Sequence, residues 1–150
     1  DVQLVILGKG DYYYENFFYH LAERYPGKVS AVLTFDRILA KKIYAGSDIF
    51  IMPSRSEPCG LSQMIASRYG SVPVVRETGG LYDSIKDVGC EGGGNGFTFA
   101  PYSAWELLGA VRRAVGSYRS DDWKKLVRKV MQTDFSWTKS AKEYIEKVYS

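Results

Sequence analysis

The 150-residue sequence predicts an α/β fold, with one domain built on a doubly wound parallel sheet and a helical C-terminal tail. Short apolar runs rich in strand-forming residues alternate with segments of helical periodicity. Glycine, proline or polar residues separate these segments. After the fifth apolar run, only helical segments remain. Strands that alternate with helices form parallel sheets with right-handed crossovers, which gives the fold class.

The first part of the chain contains two predicted strand–helix pairs. Residues 2–7 read as a buried strand, and the aromatic-rich residues 12–25 read as a helix that Pro26-Gly27 ends. Residues 29–33 alternate as a second strand. A helix is predicted over residues 37–45, ended at Gly46.

The central stretch of the chain, residues 47–69, is the one that predicts a ligand site. Residues 48–52 form an apolar run of a length typical of a strand buried on both faces. A polar loop over residues 53–60 leads into a helix that begins at Leu61 or Ser62 and ends at Tyr69, with Gly70 as its C-terminal stop. In parallel α/β sheets, ligands bind where strands end and helices begin.

The remaining elements follow the same alternation and then the tail. Strands are predicted over residues 72–75 and 96–99, and the glycine-rich residues 87–96 between them are expected to form a mobile surface loop. Three amphipathic helices close the chain. Their predicted N-terminal caps are Ser103, which forms a capping box with Glu106, and then Ser120 and Ser136.

The amino-acid composition disfavours membrane, nucleic-acid and metal-binding functions for this chain. The chain is 45% apolar and 25% charged with a net charge of +3, which is ordinary for a globular domain. It has no apolar run near the roughly 20 residues of a membrane span and no signal-peptide pattern, so a cytoplasmic or stromal setting without a membrane partner is expected. The basic residues Lys124, Lys125, Arg128 and Lys129 read as a solvated helix face, which disfavours a nucleic-acid partner. Cys59, Cys90 and His20 lack metal-ligand spacing, so no metal site is expected.

The residues around the central loop favour an anionic ligand. The unpaired N–H groups of residues 59–63 and the positive end of the helix dipole both attract negative charge, and Gly60 allows close approach of the backbone. Glu57 lies in the same loop beside Arg55. Thr78, Gly79 and Gly80 reach the same edge, where the glycines allow contact with a ligand, unusual backbone angles, or both. Phe35 follows the second strand and could stack on a planar base or belong to the core.

Four sequence blocks carry a family resemblance. They are Ser54-Arg-Ser-Glu-Pro-Cys-Gly-Leu-Ser-Gln63, Gly70-Ser-Val-Pro-Val-Val-Arg76, Thr78-Gly-Gly-Leu81 with Asp83, and Asp134-Phe-Ser-Trp137. In this order they resemble bacterial glycogen synthase and plant starch synthase. The resemblance implies the second, nucleotide-binding Rossmann-like domain of a two-domain GT-B glycosyltransferase. The resemblance also implies an activity, the transfer of glucose from ADP-glucose or UDP-glucose to the non-reducing end of an α-1,4-glucan. This transfer would retain the anomeric configuration and use neither metal nor cofactor.

The resemblance also implies roles for single residues. Glu57 matches the family's active-site acid, which supports positive charge at the anomeric carbon of the transferred glucose. Cys59, Gly60, Leu61 and Ser62 would hold the distal phosphate and the sugar of the donor. Phe35 matches an aromatic residue that stacks on the nucleobase. The matching Arg55 either binds the donor or forms a salt bridge that braces the loop. Ile65 replaces the second acid of the E-x7-E pattern in wider relatives, which favours glycogen synthases over the other transferases of this fold.

The resemblance covers residues 4–149 and leaves family features without a counterpart. The N-terminal acceptor domain, its diphosphate-binding lysine, and the first strand and helix of the nucleotide-binding domain have no match. The chain is therefore expected to be an N-terminally truncated single domain, residues 1–150, that is inactive alone. The location would be the bacterial cytoplasm or, for a plant protein, the plastid stroma. The alternatives are a non-catalytic nucleotide- or glucan-binding module and a sugar-nucleotide epimerase of the same fold.

Overall fold

A computed structural model describes residues 1–149 of the chain. Within these residues, strands and helices alternate and three helices follow the last strand. The elements are β1 (Leu4–Leu7), α1 (Tyr12–Arg24), β2 (Val29–Val32), α2 (Arg37–Gly46), β3 (Ile49–Met52), α3 (Ser62–Tyr69), β4 (Val72–Arg76), α4 (Gly80–Ser84), β5 (Phe97–Phe99), α5 (Ala104–Tyr118), α6 (Trp123–Gln132) and α7 (Trp137–Val148). The predicted α/β class with a helical tail is confirmed. None of these helices is long and apolar enough to cross a membrane.

The strands pair in two parallel sheets rather than in one continuous sheet. β1 pairs with β2, and a second sheet has the order β3-β4-β5. In the second sheet Met52 of β3 lies opposite Val75 of β4, and Val75 lies opposite Thr98 of β5. The two sheets belong to two compact units, Asp1–Ile43 and the part of the chain from Tyr44 onward.

The hydrophobic core of the second unit surrounds β4. Val72, Val74 and Val75 are inaccessible to solvent, as is Val130 from α6. Helices α5 and α6 cover this strand, and their buried side chains pack against Phe97 and Phe99 of β5. Because β4 is buried between two neighbouring strands and beneath helices, it is a fixed platform for the segments that leave the sheet at its carboxyl edge.

The first unit and β3 are more exposed than the sequence predicts. Leu4 and Val5 of β1 are 37% and 50% exposed, so the prediction of a buried strand over residues 2–7 is wrong. Within the described residues β1 pairs with β2 alone, and α1 has no buried residue, which leaves apolar side chains of both elements in solvent. The predicted burial of β3 on both faces is also wrong, since Ile51 is 37% exposed.

Two of the three predicted helix caps are confirmed. The Ser136 hydroxyl accepts a hydrogen bond from the Lys139 amide at 3.3 Å. The Ser103 hydroxyl accepts from the amide of Trp105, the second helical residue, rather than in the capping-box pattern. Ser120 does not cap α6, because its hydroxyl donates to the Ser117 carbonyl at 2.7 Å and the helix begins after Asp122.

Residues 77–96 also differ from the prediction. The short helix α4 occupies Gly80–Ser84, where the sequence predicts no helix or strand. The glycine-rich loop after it is only partly a surface segment, since Asn95 is buried and its side-chain carbonyl accepts from the Lys86 amide at 2.8 Å. A Cβ atom on Gly94 would lie 2.0 Å from the Lys86 carbonyl oxygen, so close backbone packing explains a glycine there.

Candidate functional site

The candidate site lies at the carboxyl edge of the β3-β4-β5 sheet. The loop between β3 and α3 and the segment between β4 and α4 both leave the sheet at this edge, because the strands are parallel. We name residues 57–62 of the first loop the cradle loop. It contains Glu57 and the predicted donor-binding residues Cys59 to Ser62. The structure therefore brings these residues together with Thr78, Gly79 and Gly80, as the sequence predicts.

The backbone of the cradle loop presents a row of unpaired donors. Within residues 1–149, the N–H groups of Cys59, Gly60, Leu61 and Ser62 donate no hydrogen bond to a protein acceptor. Leu61 precedes the first residue of α3 and supplies no side-chain cap. These amides thus lie at the positive end of the helix dipole, where an anion is favoured. Gly60 has φ +75°, a left-handed conformation that glycine adopts without strain.

The glycine pair packs directly against the cradle loop. The Gly80 amide donates to the Glu57 carbonyl at 3.1 Å. A Cβ atom on Gly79, whose φ is +46°, would lie 2.1 Å from the same carbonyl oxygen, and one on Gly80 would lie 2.0 Å from the Cys59 carbonyl oxygen. Both glycines are therefore required for close contact between two backbone segments. The predicted contacts of this pair with a ligand stay predictions.

Arg76, at the end of β4, joins three segments of the same edge. Its Nη1 donates to the Arg55 carbonyl at 2.8 Å and its Nε donates to the Ala100 carbonyl at 3.1 Å, beyond the end of β5. The guanidinium also lies 5.5 Å from the ring centre of Tyr102. Arg76 thus fixes the backbone two residues before Glu57.

The side chains of Glu57 and Arg55 are not engaged in polar contacts within the described part of the chain. Glu57 is half-buried, and its carboxylate has neither a hydrogen bond nor an ion pair there. Arg55 is exposed, and among residues 1–149 its guanidinium forms no salt bridge. The backbone carbonyl of Arg55 restrains the loop instead, because it accepts the hydrogen bond from Arg76. The alternative of a bracing salt bridge from the Arg55 side chain is not found within residues 1–149.

Phe35 belongs to the first unit, at the carboxyl end of β2. Its side chain is 82% exposed, so the alternative that it is a core residue is wrong. The neighbouring Asp36 begins α2, since its carboxylate accepts hydrogen bonds of 2.9 Å from the amides of Ile38 and Leu39. An exposed aromatic ring held beside a capped helix start is available to a planar ligand.

A polar network supports the sheet behind the site. Arg113 of α5 binds Asp87 through Nη1 at 2.9 and 3.0 Å and donates to the Thr98 carbonyl at 2.6 Å. Burial raises the pKa of the Asp87 carboxyl, but hydrogen bonds from the amides of Thr98 and Gly89 and from Arg113 outweigh it and lower the pKa overall. The Thr98 hydroxyl also donates to Glu77 at 2.6 Å. This network ties β5 to the glycine-rich loop.

The model of the family described as "Glycosyl transferases group 1" matches residues 1–130. The chain belongs to this family. Proteins of the family that resemble it include glycogen synthases from Desulforudis audaxviator, at 53% identity over 97% of this chain, and from Clostridium novyi, at 52% identity over 100% of this chain. The predicted resemblance to glycogen synthase is thereby confirmed. The chain spans only 30% and 32% of the length of these two relatives.

One solved structure supports this glycosyl transferase assignment and a second agrees in fold. The catalytic domain of Starch Synthase IV from Arabidopsis thaliana, solved with ADP and acarbose, matches with a TM-score of 0.87 and 41% identity over 96% of this chain and 31% of that chain. Sucrose-phosphate synthase from Thermosynechococcus elongatus matches with a TM-score of 0.66 at 21% identity, over 97% of this chain and 37% of that chain, and therefore indicates the fold alone.

Sequence reasoning missed two residues that organise this candidate site. Arg76 and Gln63 lie inside the blocks that carry the family resemblance, but neither was assigned a role. Gln63 is fully buried in α3 and contacts the carbonyl groups of the cradle loop. A glutamine on the face of a short helix that also carries Ala66 and Ser67 was the available signal, because a buried amide must find hydrogen-bond partners.

Proposed function

We propose that this chain is the donor-binding part of a retaining glucosyltransferase of the glycogen and starch synthase type. It would bind ADP-glucose or UDP-glucose and deliver glucose to the non-reducing end of an α-1,4-glucan. Membership in the glycosyl transferase family, glycogen synthase relatives above 50% identity and a similar starch synthase domain solved with ADP support the proposal. The bacterial cytoplasm or the plastid stroma would be its location.

The observation that carries the proposal is the row of unpaired amides beside a carboxylate. In such a transfer, a diphosphate leaves with growing negative charge while the sugar becomes oxocarbenium-like. The N–H groups of Cys59, Gly60 and Leu61, with the Ser62 hydroxyl, are suited to bind the distal phosphate of the donor. Donors that are fixed before the reaction stabilise such charge most effectively.

Glu57 has the chemistry needed at the sugar. Its carboxylate carries no ion pair within residues 1–149, so its charge is not neutralised by a protein cation there. A carboxylate in this loop can accept hydrogen bonds from glucose hydroxyls and stabilise positive charge at the anomeric carbon. Phe35 would stack on the nucleobase, and Arg55 would contribute positive charge near the donor.

The remaining parts of the reaction would come from outside this chain. We propose that an N-terminal acceptor domain supplies them. This agrees with the finding that the chain spans about a third of the length of its relatives. Residues 1–150 alone would then bind nucleotide weakly and elongate no glucan. Incubating them with ADP-glucose and glycogen tests this, and measurable elongation would contradict it.

Glu57→Gln in the full-length protein is the main test. We expect turnover to fall about 10²- to 10³-fold, as when one group that stabilises developing charge is lost, with nucleotide affinity retained. Glu91→Gln, at an exposed position in the glycine-rich loop, is the matched control and should leave turnover unchanged. Unchanged turnover in Glu57→Gln would favour the alternative of a non-catalytic binding module. Calorimetry with ADP-glucose and UDP-glucose would then identify the preferred donor.

A further inference from the structure

Gln63 holds the carbonyl side of the cradle loop through a fully buried carboxamide. Its Nε2 atom donates to the Gly60 carbonyl at 2.8 Å and lies 3.4 Å from the Cys59 carbonyl. The same atom donates to the Ser84 hydroxyl of α4 at 3.1 Å. Three oxygens therefore surround a single nitrogen.

The hydrogen bonds determine which end of the carboxamide carries the nitrogen. The Ser84 hydroxyl donates its own proton to the Gly80 carbonyl at 2.6 Å, so it can only accept from Gln63. The reversed orientation would place the side-chain oxygen of Gln63 against two carbonyl oxygens and a hydroxyl that has no proton to give. The side-chain nitrogen of Gln63, and not its side-chain oxygen, must therefore face the cradle loop.

This contact controls the direction of the loop amides. In a trans peptide, the carbonyl group of one residue and the N–H group of the next point in opposite directions, and the described residues contain no cis peptide bond. Holding the Cys59 and Gly60 carbonyls toward Gln63 therefore turns the N–H groups of Gly60 and Leu61 away from it. Gly80 packs against the Cys59 carbonyl as well, and its amide donates to the Glu57 carbonyl earlier in the same loop.

The side-chain oxygen of Gln63 offsets part of the stability that the side-chain nitrogen contributes. The Oε1 atom is buried and lacks a hydrogen-bond partner within residues 1–149. A buried acceptor without a partner is unfavourable, whereas methionine would fill a similar volume without one. Oε1 would also lie 2.6 Å from a Cβ atom on Gly60, so a glycine there matches the carboxamide.

We infer that Gln63 is a positioning residue that aims the Gly60 and Leu61 amides at the distal phosphate of a nucleoside diphosphate. This inference rests on the proposed function, because it assumes that the cradle loop binds the donor diphosphate. Gln63 does not touch the ligand. Without its nitrogen, the two peptide planes can rotate and their N–H groups lose a common direction.

The test compares ADP with AMP by calorimetry on the full-length protein, since only ADP carries a distal phosphate. Gln63→Met should weaken ADP binding about tenfold, the factor for one lost hydrogen bond to a charged group, and leave AMP binding unchanged. Turnover should fall by a similar factor. Ser84→Ala, which removes one partner of the amide, should give a smaller loss in the same direction and serves if Gln63→Met does not fold.

Ser67→Ala is the matched control. The Ser67 hydroxyl is buried in the same helix and donates to the Gln63 backbone carbonyl at 2.7 Å, so its loss should lower stability without changing the ratio of ADP to AMP affinity. If Gln63→Met keeps the wild-type ratio, the positioning role is refuted while the proposed function stands. If the wild-type protein binds ADP no better than AMP, the phosphate site itself is refuted.

Discussion

Gly80→Ala offers a sharp test of the packing between α4 and the cradle loop. Gly80 is the first residue of α4, and alanine normally stabilises a helical position by about 0.5–1 kcal/mol relative to glycine. The new Cβ atom would, however, lie 2.0 Å from the carbonyl oxygen of Cys59 and 2.6 Å from its carbonyl carbon. The obstructing atoms belong to the backbone and cannot move as a flexible side chain would.

The steric term outweighs the helical preference. Overpacking costs about 1–3 kcal/mol, and displacement of the Gly80 amide from the Glu57 carbonyl costs about 1 kcal/mol more. We therefore expect the free energy of unfolding to fall by about 2 kcal/mol. Relief of the clash requires a shift of about 1 Å in the cradle loop, and a misplacement of that size can lower turnover about 10²-fold.

The assay for Gly80→Ala combines denaturant unfolding with glucan elongation in the full-length protein. Gly109→Ala is the control, because Gly109 lies in α5 and a Cβ atom there would have nothing within 4 Å. The control should gain up to about 1 kcal/mol of stability with unchanged turnover. If Gly80→Ala behaves like Gly109→Ala, the tight contact between α4 and the cradle loop is refuted.

Two further predictions concern Asp87 and Phe35. Asp87→Asn should lower the free energy of unfolding at pH 7 by about 1 kcal/mol, since solvent partly screens the pair with Arg113. The pKa of Asp87 is lowered in the folded protein, so its contribution to stability is present above the unfolded value of 3.8 and disappears as the pH falls through the folded pKa. Urea unfolding should therefore show equal stabilities for the wild-type protein and Asp87→Asn at low pH. A difference that stays constant with pH would contradict this. Phe35→Ala should weaken adenosine binding about tenfold, as loss of one base–aromatic stack does. Because the ring is exposed, the free energy of unfolding should change by no more than about 0.5 kcal/mol. Unchanged affinity for adenosine in calorimetry would exclude the stack.

Local sequence signals predicted most of the elements and the start of the site. The helix that ends at Gly70 is an example, since this glycine has φ +85° and accepts the left-handed conformation that ends α3. The polar loop before it lies at the carboxyl edge of the parallel sheet, as expected. These features depend on residues close together in the chain, which is why a single sequence reveals them.

Features that depend on distant contacts could not be predicted. Arg76 meets the carbonyl of Arg55 21 residues before it, and Gln63 meets Ser84 21 residues after it. No local pattern specifies either pair. The helix α4 was missed because a Gly-Gly start is a poor helix signal. The hydrogen bonds of Gly80 with the Glu57 carbonyl and of Ser84 with Gln63 supply what local propensity lacks. The burial of residues 2–7 was misjudged because apolar composition does not reveal how many neighbours a strand has.

The fixed carbonyl groups of the cradle loop have a consequence for ligand recognition. A loop that becomes ordered only when its ligand arrives loses conformational entropy at that moment, and its affinity falls accordingly. Here the contacts of Gln63 and Gly80 restrain the backbone of the cradle loop through groups of the protein itself. The loop should therefore discriminate by shape, and favour an oxyanion whose oxygens match a preset spacing over one that carries the same charge in a different geometry.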